Sequence, residues 1–317
     1  MSDMPQREAY GRALADYGDV NEKVVVLDAD TSSSTLTHFF ASRFPERFFN
    51  VGIAEPCLVD FGVGLSLGGF IPFVNAFAAF LSLRAVEQVR TCVAYAETNV
   101  KLVGHYAGLS DYKDGPTHNC VMDLAVMRAM PNMTVIVPAD NNEIVNWLPV
   151  IAEHEGPLYF RMSRDKSLPV HPVDIKPEIG KGKWVREGGD VTLIANGAML
   201  GRVVQAAELL AEKNISAGVL EIHTLKPLDV DAICQAAVRT GAIVTAEEHT
   251  IIGGLGGAVA ETLAVRCPVP LERVGVKDCF PVTSKSADLL LDHIGLSVMN
   301  IVEAAEKALL RRERSLE

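Results

Sequence analysis

Glu55 is the residue of this chain most clearly placed to take part in a reaction, because its carboxylate falls within an almost entirely hydrophobic stretch. It ends the sequence Asn50-Val-Gly-Ile-Ala-Glu55 and leads into the apolar segment 57–70, at a predicted helix start. Burial disfavours the charged form of a carboxyl group, so we expect Glu55 to have a raised pKa and to hold or share a proton. Such a group can hydrogen-bond a nitrogen of a heterocycle. The alternative is an acid that is stabilised only by the dipole of the helix N-terminus.

A second group of candidates lies on one loop, between a predicted strand at 100–104 and a predicted helix that begins near Val121. This loop carries His105, Asp114 and His118. Open α/β sheets bind ligands at loops that leave the carboxyl ends of their strands. A lone histidine is usually structural, but two histidines and an aspartate on one glycine-containing loop indicate a functional site.

Alternating strands and helices in the first half of the chain would position these groups. Short, nearly continuous apolar runs indicate parallel strands that are buried on both faces, and amphipathic segments such as 77–96 indicate helices between them. The predicted strands are 23–28, 47–51, 70–74, 100–104, 134–137 and 158–161.

The periodic pattern is lost between residues 163 and 190, where prolines and glycines are mixed with charged residues. This composition is typical of a connecting segment. We therefore predict a first domain at 1–165, a linker at 166–189 and a second domain at 190–317. The second domain has predicted strands at 191–195, 217–222 and 242–246, and predicted helices at 201–213, 230–240 and 296–310. The predicted fold class is α/β, with two separate doubly wound domains.

The composition excludes several classes of protein. A length of 317 residues, 49% of them hydrophobic, is enough for two domains that each have a core. The net charge of −11 opposes binding to nucleic acid or to an anionic membrane. The six cysteines are scattered without C-x-x-C spacing, which predicts buried thiols and neither a zinc site nor disulfides. With no signal peptide or membrane span indicated, the expected compartment is a reducing cytoplasm.

Three motifs together resemble the C-terminal two-thirds of transketolase. They are Asn50-Val-Gly-Ile-Ala-Glu55, Asp114-Gly-Pro-Thr-His118 and Glu247-Glu-His-Thr-Ile-Ile-Gly-Gly-Leu-Gly256. The resemblance covers nearly the whole chain and implies a pyrimidine-binding domain followed by a transketolase C-terminal domain. The D-G-P-T-H motif is the more specific, because G-I-A-E is shared with deoxyxylulose phosphate synthase.

The chain lacks one element of the family. Transketolases hold the diphosphate of thiamine diphosphate and its Mg2+ through a G-D-G motif followed by an asparagine, and neither occurs here. The chain therefore resembles the C-terminal subunit of a split transketolase. A separate N-terminal subunit would carry the diphosphate-binding domain and most of the Mg2+ ligands. The implied assembly is a heterotetramer with two chains of each type.

The resemblance gives Glu55 a role in activating the cofactor. Its carboxyl group should hydrogen-bond a ring nitrogen of the aminopyrimidine and promote the tautomer that removes the thiazolium proton. Phe77 and Phe80 match aromatic residues that pack against the pyrimidine, although their i, i+3 spacing also fits a buried helix face. Asp30 matches an acid near the cofactor, and its alternative is a turn residue at a strand end.

The resemblance also places six residues against the substrate. The residues expected at the sugar hydroxyls are His105, Asp114 and His118, of which His118 is also expected to be catalytic. The residues expected at the sugar phosphate are Arg7, Ser34 and Arg164. Arginine suits this position because its planar guanidinium can donate two hydrogen bonds to one phosphate. For Arg7 the alternative is a solvated charge on the first helix.

The chain departs from the family pattern near the substrate. Leu83 stands where many transketolases have tyrosine, and Tyr112, Lys113 and Asn119 stand where glycine, glutamate and glutamine are usual. These changes leave the ketose donor and the aldose acceptor open. The glycine run that starts at Gly253 could bind phosphate, but we expect it to serve packing.

Two rival functions follow from the same residues. A deoxyxylulose phosphate synthase-like or 2-oxoacid dehydrogenase β-like subunit would use Glu55 in the same way on a 2-oxo acid that loses carbon dioxide. A non-catalytic scaffold of the same fold is the rival from another class. The presence of Glu55, Asp114 and His118 together argues against the scaffold.

Overall fold

Two β-sheets with helices packed on their faces form the part of the chain that the structure, a computed structural model, describes, residues 4–314. The strands are β1 (Val24–Asp28), β2 (Phe48–Asn50), β3 (Ile71–Phe77), β4 (Lys101–His105), β5 (Thr134–Ile136), β6 (Leu158–Arg161), β7 (Lys183–Arg186), β8 (Val191–Ala195), β9 (Ala217–Glu221), β10 (Thr224–Lys226), β11 (Ile243–Thr250) and β12 (Leu271–Val276). The helices are α1 (Gln6–Val20), α2 (Ser32–Thr35), α3 (His38–Arg43), α4 (Glu55–Leu67), α5 (Val86–Gln88), α6 (Asp123–Ala129), α7 (Asn141–Glu153), α8 (Met199–Glu212), α9 (Val230–Thr240), α10 (Leu255–Arg266), α11 (Ala287–His293) and α12 (Val298–Arg314).

The first sheet has the strand order β10-β5-β6-β4-β3-β1-β2. Its strands run parallel except β10, which pairs antiparallel with β5. The strands β1, β4, β5 and β6 are buried along their whole length, as their apolar runs predicted. The carboxyl ends of β6, β4, β3 and β1 therefore meet along one edge of the sheet.

The two α/β domains are confirmed, each with its own sheet, but one strand of the second half, β10, joins the first sheet. It comes from the second half of the chain, and its residues Thr224 and Lys226 pair with Ile136 and Val135 of β5. A strand of three residues is too short to show periodicity, so nothing in the sequence predicts it. The pairing joins the two domains through backbone hydrogen bonds.

The second sheet has the order β12-β11-β8-β9-β7. Its strands are parallel except β7, which pairs antiparallel with β9. Strand β7 lies inside the segment predicted as linker, residues 166–189, so the last part of that segment belongs to the second sheet. The predicted strands and helices of this half otherwise appear within a few residues, and α9 has the predicted bounds.

Helix α4 packs closely on the first sheet, and this contact positions Glu55. A Cβ atom on Gly62 would lie 2.6 Å from Cγ2 of Val74, so only glycine allows this approach of helix to strand. Leu58 and Val59 of the same helix are fully buried. The N-terminal end of α4 is thereby held beside the carboxyl end of β3.

The segment predicted as one helix at 77–96 is different in the structure. Phe77 is the last residue of β3, and the chain then forms π-helical turns at Phe80–Arg84 and Val89–Tyr95 on either side of α5. A π-helical turn adds one residue relative to an α-helix and is frequent at functional sites. Phe77 and Phe80 are therefore not two positions on one helix face.

The cysteines also depart from the prediction. Cys234 of α9 and Cys267, at the end of α10, form a disulfide with Cα atoms 5.7 Å apart, although their spacing in sequence gave no sign of it. Cys57 and Cys279 are exposed, whereas buried thiols were expected. Within residues 4–314, no helix combines the length and the apolar character that crossing a membrane requires.

Candidate active site

Glu55 is the first residue of α4 and its side chain is only 2% exposed. Its Oε2 accepts a hydrogen bond from Nη1 of Arg84 at 2.7 Å. The position at the helix N-terminus also favours a negative charge. The charge of this buried carboxylate is therefore balanced by a cation from the π-helical turn, which is a partner that the sequence did not indicate.

An aromatic wall stands next to this ion pair. The guanidinium of Arg84 lies 4.4 Å from the ring centroid of Phe80. The ring of Phe80 stacks with that of Phe77 at 5.9 Å, and Phe77 stacks with Tyr106 at 4.3 Å. His118 completes the wall in an edge-to-face arrangement, with its ring centroid 5.2 Å from that of Phe80.

Two arginines meet at the far end of this wall. Nη1 of Arg7 donates to the hydroxyl of Tyr106 at 2.7 Å and to the carbonyl oxygen of Ser34 at 2.9 Å. The guanidinium of Arg164 lies 5.0 Å from the ring centroid of Tyr106, and its Nη1 donates to Asp111 at 3.0 Å. Successive contacts thus connect Glu55 to Arg164. The structure brings most of the predicted site residues into one row.

His118 and Asp114 lie at the tip of the loop, on either side of a 3-10 turn at Gly115–Thr117. Nδ1 of His118 lies 3.0 Å from the hydroxyl of Thr117, and Asp114 is exposed. Gly115 has a φ of +78°, and a Cβ atom there would lie 2.5 Å from Thr283 of the second domain. Glycine is therefore required where this loop contacts the second domain.

His105 lies beneath the loop and is fully buried. Its Nε2 is 3.0 Å from Oδ1 of Asn75, which also accepts a hydrogen bond from the hydroxyl of Tyr10 at 2.8 Å. Burial lowers the pKa of His105 to about 3, so its ring is neutral at physiological pH. This location is typical of a histidine that supports the loop, and its contact with a sugar stays a prediction.

Asp30 is placed at the carboxyl end of β1 but outside the row of contacts. Its backbone N–H donates to Oδ1 of Asn50 at 3.0 Å, and its Oδ1 accepts from Nδ2 of the same residue at 3.2 Å. Asp30 has a φ of +64°, a conformation that aspartate tolerates better than most residues. This position is compatible with both predictions for Asp30, a turn residue at a strand end and an acid near the cofactor.

The second domain supports the loop through the motif that begins at Glu247. Oε1 of Glu248 accepts the backbone N–H of Leu109 at 2.6 Å, and burial raises the pKa of Glu248 to about 6. Glu247 accepts the N–H groups of Leu255 and Gly256 at the start of α10, at 2.6 and 2.8 Å. The helix N-terminus after the glycine run is thus occupied by the chain's own carboxylate.

No role was predicted from the sequence for Arg84, Tyr106, Asn75 or Glu248, although Glu248 lies in the motif that begins at Glu247. Tyr106 directly follows His105 at a strand end, and Arg84 comes four residues after Phe80, so both lay beside predicted residues. Asn75 and Glu248 lie within strands, where polar residues in apolar runs are a weak signal. The contacts that Asn75 and Glu248 make depend on which strands are neighbours in the two sheets, which the sequence does not show.

Comparison with known proteins gives matches over nearly the whole chain. Residues 2–168 match the family model "Transketolase, pyrimidine binding domain", and residues 180–301 match "Transketolase, C-terminal domain". The chain is 40% identical to a 6-deoxy-6-sulfo-D-fructose transketolase subunit of a Clostridium species, over 96% of this chain and 95% of that protein. It is 43% identical to a putative transketolase C-terminal section of Methanocaldococcus jannaschii, over 94% of each.

A solved structure described as "Split gene transketolase, inactive beta4 tetramer" has a TM-score of 0.90 to this chain. The two are 44% identical, and the match covers 98% of this chain and 99% of the other.

Proposed function

This chain belongs to the transketolase family, whose members depend on thiamine diphosphate, and we propose that it is the catalytic C-terminal subunit of a split transketolase. The proposed reaction transfers a two-carbon ketol unit from a ketose phosphate to an aldose or aldose phosphate. The observation that carries this proposal is the row of contacts that runs from buried Glu55, along the aromatic wall, to Arg7 and Arg164.

The residues present fit one end of the cofactor. Glu55 offers a buried carboxylate to a ring nitrogen, and Phe77 and Phe80 offer apolar faces to a planar heterocycle. Asp30 lies at the same edge of the sheet, at the end of β1. Thiamine diphosphate supplies the nucleophilic carbon that ketol transfer needs. In this proposal the carboxylate of Glu55 shares a proton with that ring nitrogen and so controls the tautomer of the pyrimidine, while the aromatic rings exclude water from that end.

The other end of the row suits a phosphorylated sugar. Arg7, near the start of the first domain, and Arg164, near its end, both contact Tyr106, and the carbonyl oxygen of Ser34 lies beside Arg7. Two guanidinium groups there can attract an anion despite the net charge of −11. His118 is next to the aromatic wall, and we propose that it contacts the sugar near the reacting carbons, with Asp114 and His105 as further hydroxyl partners.

We propose that a separate N-terminal subunit supplies the diphosphate and Mg2+ site. Large apolar side chains are exposed on the elements that carry the site: Ile53 and Leu67 at the two ends of α4, and Tyr95 at the end of the π-helical segment. Exposed apolar side chains of this kind, when they lie together, mark interaction sites. The similar split-gene chain that forms an inactive tetramer also supports a need for a partner, and the proposed complete assembly is a heterotetramer.

Substrate assays test the proposed reaction against its rival. The chain is mixed with a diphosphate-binding subunit, thiamine diphosphate and Mg2+, and then given either a ketose phosphate with an aldose phosphate or pyruvate with glyceraldehyde phosphate. We expect transfer of two carbons between the sugars without release of carbon dioxide. Carbon dioxide release from pyruvate at the faster rate would instead indicate a deoxyxylulose phosphate synthase-like or 2-oxoacid dehydrogenase-like subunit.

Arg164→Ala should raise KM for phosphorylated sugars by about 10- to 100-fold and leave KM for unphosphorylated analogues nearly unchanged. A hydrogen bond to a charged group contributes about 1.5–3 kcal/mol, and only the phosphorylated substrate would lose it. Steady-state kinetics with both substrate types provide the measurement. Arg266→Ala, an exposed arginine at the end of α10, is the matched control.

Arg164 also pairs with Asp111, so a loss of structure must be separated from a loss of binding. Arg164→Lys keeps a cation beside Asp111 but cannot present the planar fork to a phosphate. Equal increases of KM for both substrate types, in Arg164→Ala and Arg164→Lys alike, would show that Arg164 supports the loop and does not read the phosphate.

A further inference from the structure

Three buried side chains away from the aromatic wall converge at the junction of the two domains. Glu143 lies in the first turn of α7, Glu221 ends β9 of the second sheet, and His171 belongs to the connection between the domains. Their side chains are 0%, 0% and 2% exposed, respectively. Nε2 of His171 lies 2.9 Å from Oε2 of Glu221 and 3.9 Å from Oε2 of Glu143.

The hydrogen bonds of this cluster are incomplete. Glu143 accepts the backbone N–H of Ala139 at 2.6 Å and the indole N–H of Trp147 at 3.0 Å. Within residues 4–314, both carboxylate oxygens of Glu221 and Nε2 of His171 have no hydrogen-bond partner, although Nε2 and Oε2 are only 2.9 Å apart. Buried polar atoms without partners are uncommon in folded proteins, so these three atoms require an explanation.

The backbone holds the histidine firmly in this position. Oδ2 of Asp140, the residue that caps α7, accepts the N–H groups of Val170 and His171, each at 2.8 Å. The side chain of Asn142 donates to the carbonyl oxygen of His171 at 2.8 Å. The connection between the domains is therefore fixed where it delivers the imidazole to the two carboxylates.

Burial disfavours a charge on each of the three groups in this cluster. Burial raises the pKa of Glu221 to about 8 and the pKa of Glu143 well above its ordinary value. Burial also lowers the pKa of His171, which leaves a neutral ring with a free lone pair. The nearby charged and titratable groups are Asp140, Lys183 of β7 and His223.

We propose that Glu143, His171 and Glu221 bind one divalent transition-metal ion, for which Zn2+ is the best match. The potential ligand atoms all lie within 4.8 Å of one another. Zinc binds imidazole nitrogen and carboxylate oxygen at about 2.0–2.2 Å in a tetrahedron, so its ligand atoms lie about 3.3–3.6 Å apart. The distances of 2.9 and 3.9 Å from Nε2 of His171 to the two carboxylates lie on either side of this value, and rotamer adjustments of up to about 1.5 Å would close the site. Two carboxylates and one neutral imidazole balance the charge of a divalent ion.

The ion would join the first domain, the connecting segment and the second domain at one point. Its expected effect is on stability and not on catalysis, because the cluster is separate from the row of contacts around Glu55. A ligand that binds the folded chain and not the unfolded one raises the free energy of unfolding, and with it the unfolding temperature, by an amount that grows with the logarithm of its free concentration over Kd. Because the cluster lies apart from the candidate active site, metal binding to it can be measured on the isolated chain, without the Mg2+ site of a partner subunit.

The test uses the purified chain after treatment with EDTA. Calorimetry and thermal unfolding are measured with ZnCl2, and with MnCl2 and MgCl2 for comparison. We expect one Zn2+ per chain with a Kd below about 1 μM, a higher unfolding temperature, and a much weaker effect of Mg2+, which prefers oxygen ligands. His171→Ala and Glu221→Gln should each weaken Zn2+ binding at least 100-fold, whereas Glu178→Gln and His293→Ala, at exposed positions, should not.

A shared proton is the competing way to neutralise two buried carboxyl groups, and it gives different results. In that case the chain binds no Zn2+ at micromolar concentration. A carboxyl group whose pKa is raised on folding contributes stability at low pH, and this contribution is lost as the pH rises through the folded pKa, about 8 for Glu221. Absence of Zn2+ binding together with this loss of stability, reversed in Glu221→Gln, would overturn the metal site. If Glu221→Gln fails to fold, His171→Gln gives the same comparison of Zn2+ binding.

Discussion

Glu55→Gln should lower the rate of ketol transfer by about 100-fold or more while the fold is retained. Proton transfer by a positioned side chain contributes about 100- to 10,000-fold to a rate, and the amide keeps the shape of Glu55 but can neither accept nor return a proton. The turnover number of the complete enzyme, saturated with cofactor and substrates, provides the measurement.

The thermal unfolding of Glu55→Gln should stay within about 3 °C of the parent chain. The ion pair that is lost joins Glu55 to Arg84, whose side chain is 48% exposed and can be solvated once its partner is neutral. Glu208→Gln, an exposed glutamate within α8, is the matched control and should retain full activity. A Glu55→Gln enzyme that turned over at the parent rate would remove the central role of this residue.

The isolated chain should show no transketolase turnover and should bind thiamine diphosphate weakly, with little dependence on Mg2+. In the proposed arrangement, Glu55 and the aromatic wall contact only the pyrimidine end of the cofactor. The diphosphate end requires a site with Mg2+, and the sequence has no G-D-G motif followed by an asparagine. Activity should therefore appear only when a diphosphate-binding subunit is added.

Calorimetry and a coupled assay together measure this dependence. Cofactor is titrated into the isolated chain and into the mixture, with and without Mg2+, and turnover is recorded in parallel. An isolated chain with a substitution on the exposed face of α4, such as Leu67→Asp, should behave like the parent alone but fail to gain activity with the partner. Tight, Mg2+-dependent binding or turnover by the isolated parent chain would contradict the split arrangement.

Much of the parallel sheet could be predicted from the sequence because its strands are buried on both faces. The runs around β1, β4, β6, β8 and β9 are nearly all apolar, and this composition is local information. The start of α4 at Glu55 was also readable, since a charged residue followed by proline precedes an apolar helix. The prediction of helices was weakest at residues 77–96, where π-helical turns replace the regular α-helical period.

The sequence by itself determined the two α/β units, the buried acid at a helix start and the loop that carries Asp114 and His118. Only the tertiary structure decided that Arg84 pairs with Glu55, that Tyr106 joins the two arginines, and that β10 extends the first sheet. It alone also brought Glu143, His171 and Glu221 together and paired Cys234 with Cys267. The physical reason is that periodicity and composition reflect the burial of each segment, whereas these contacts join segments that are distant in sequence and meet only when the strand order is fixed.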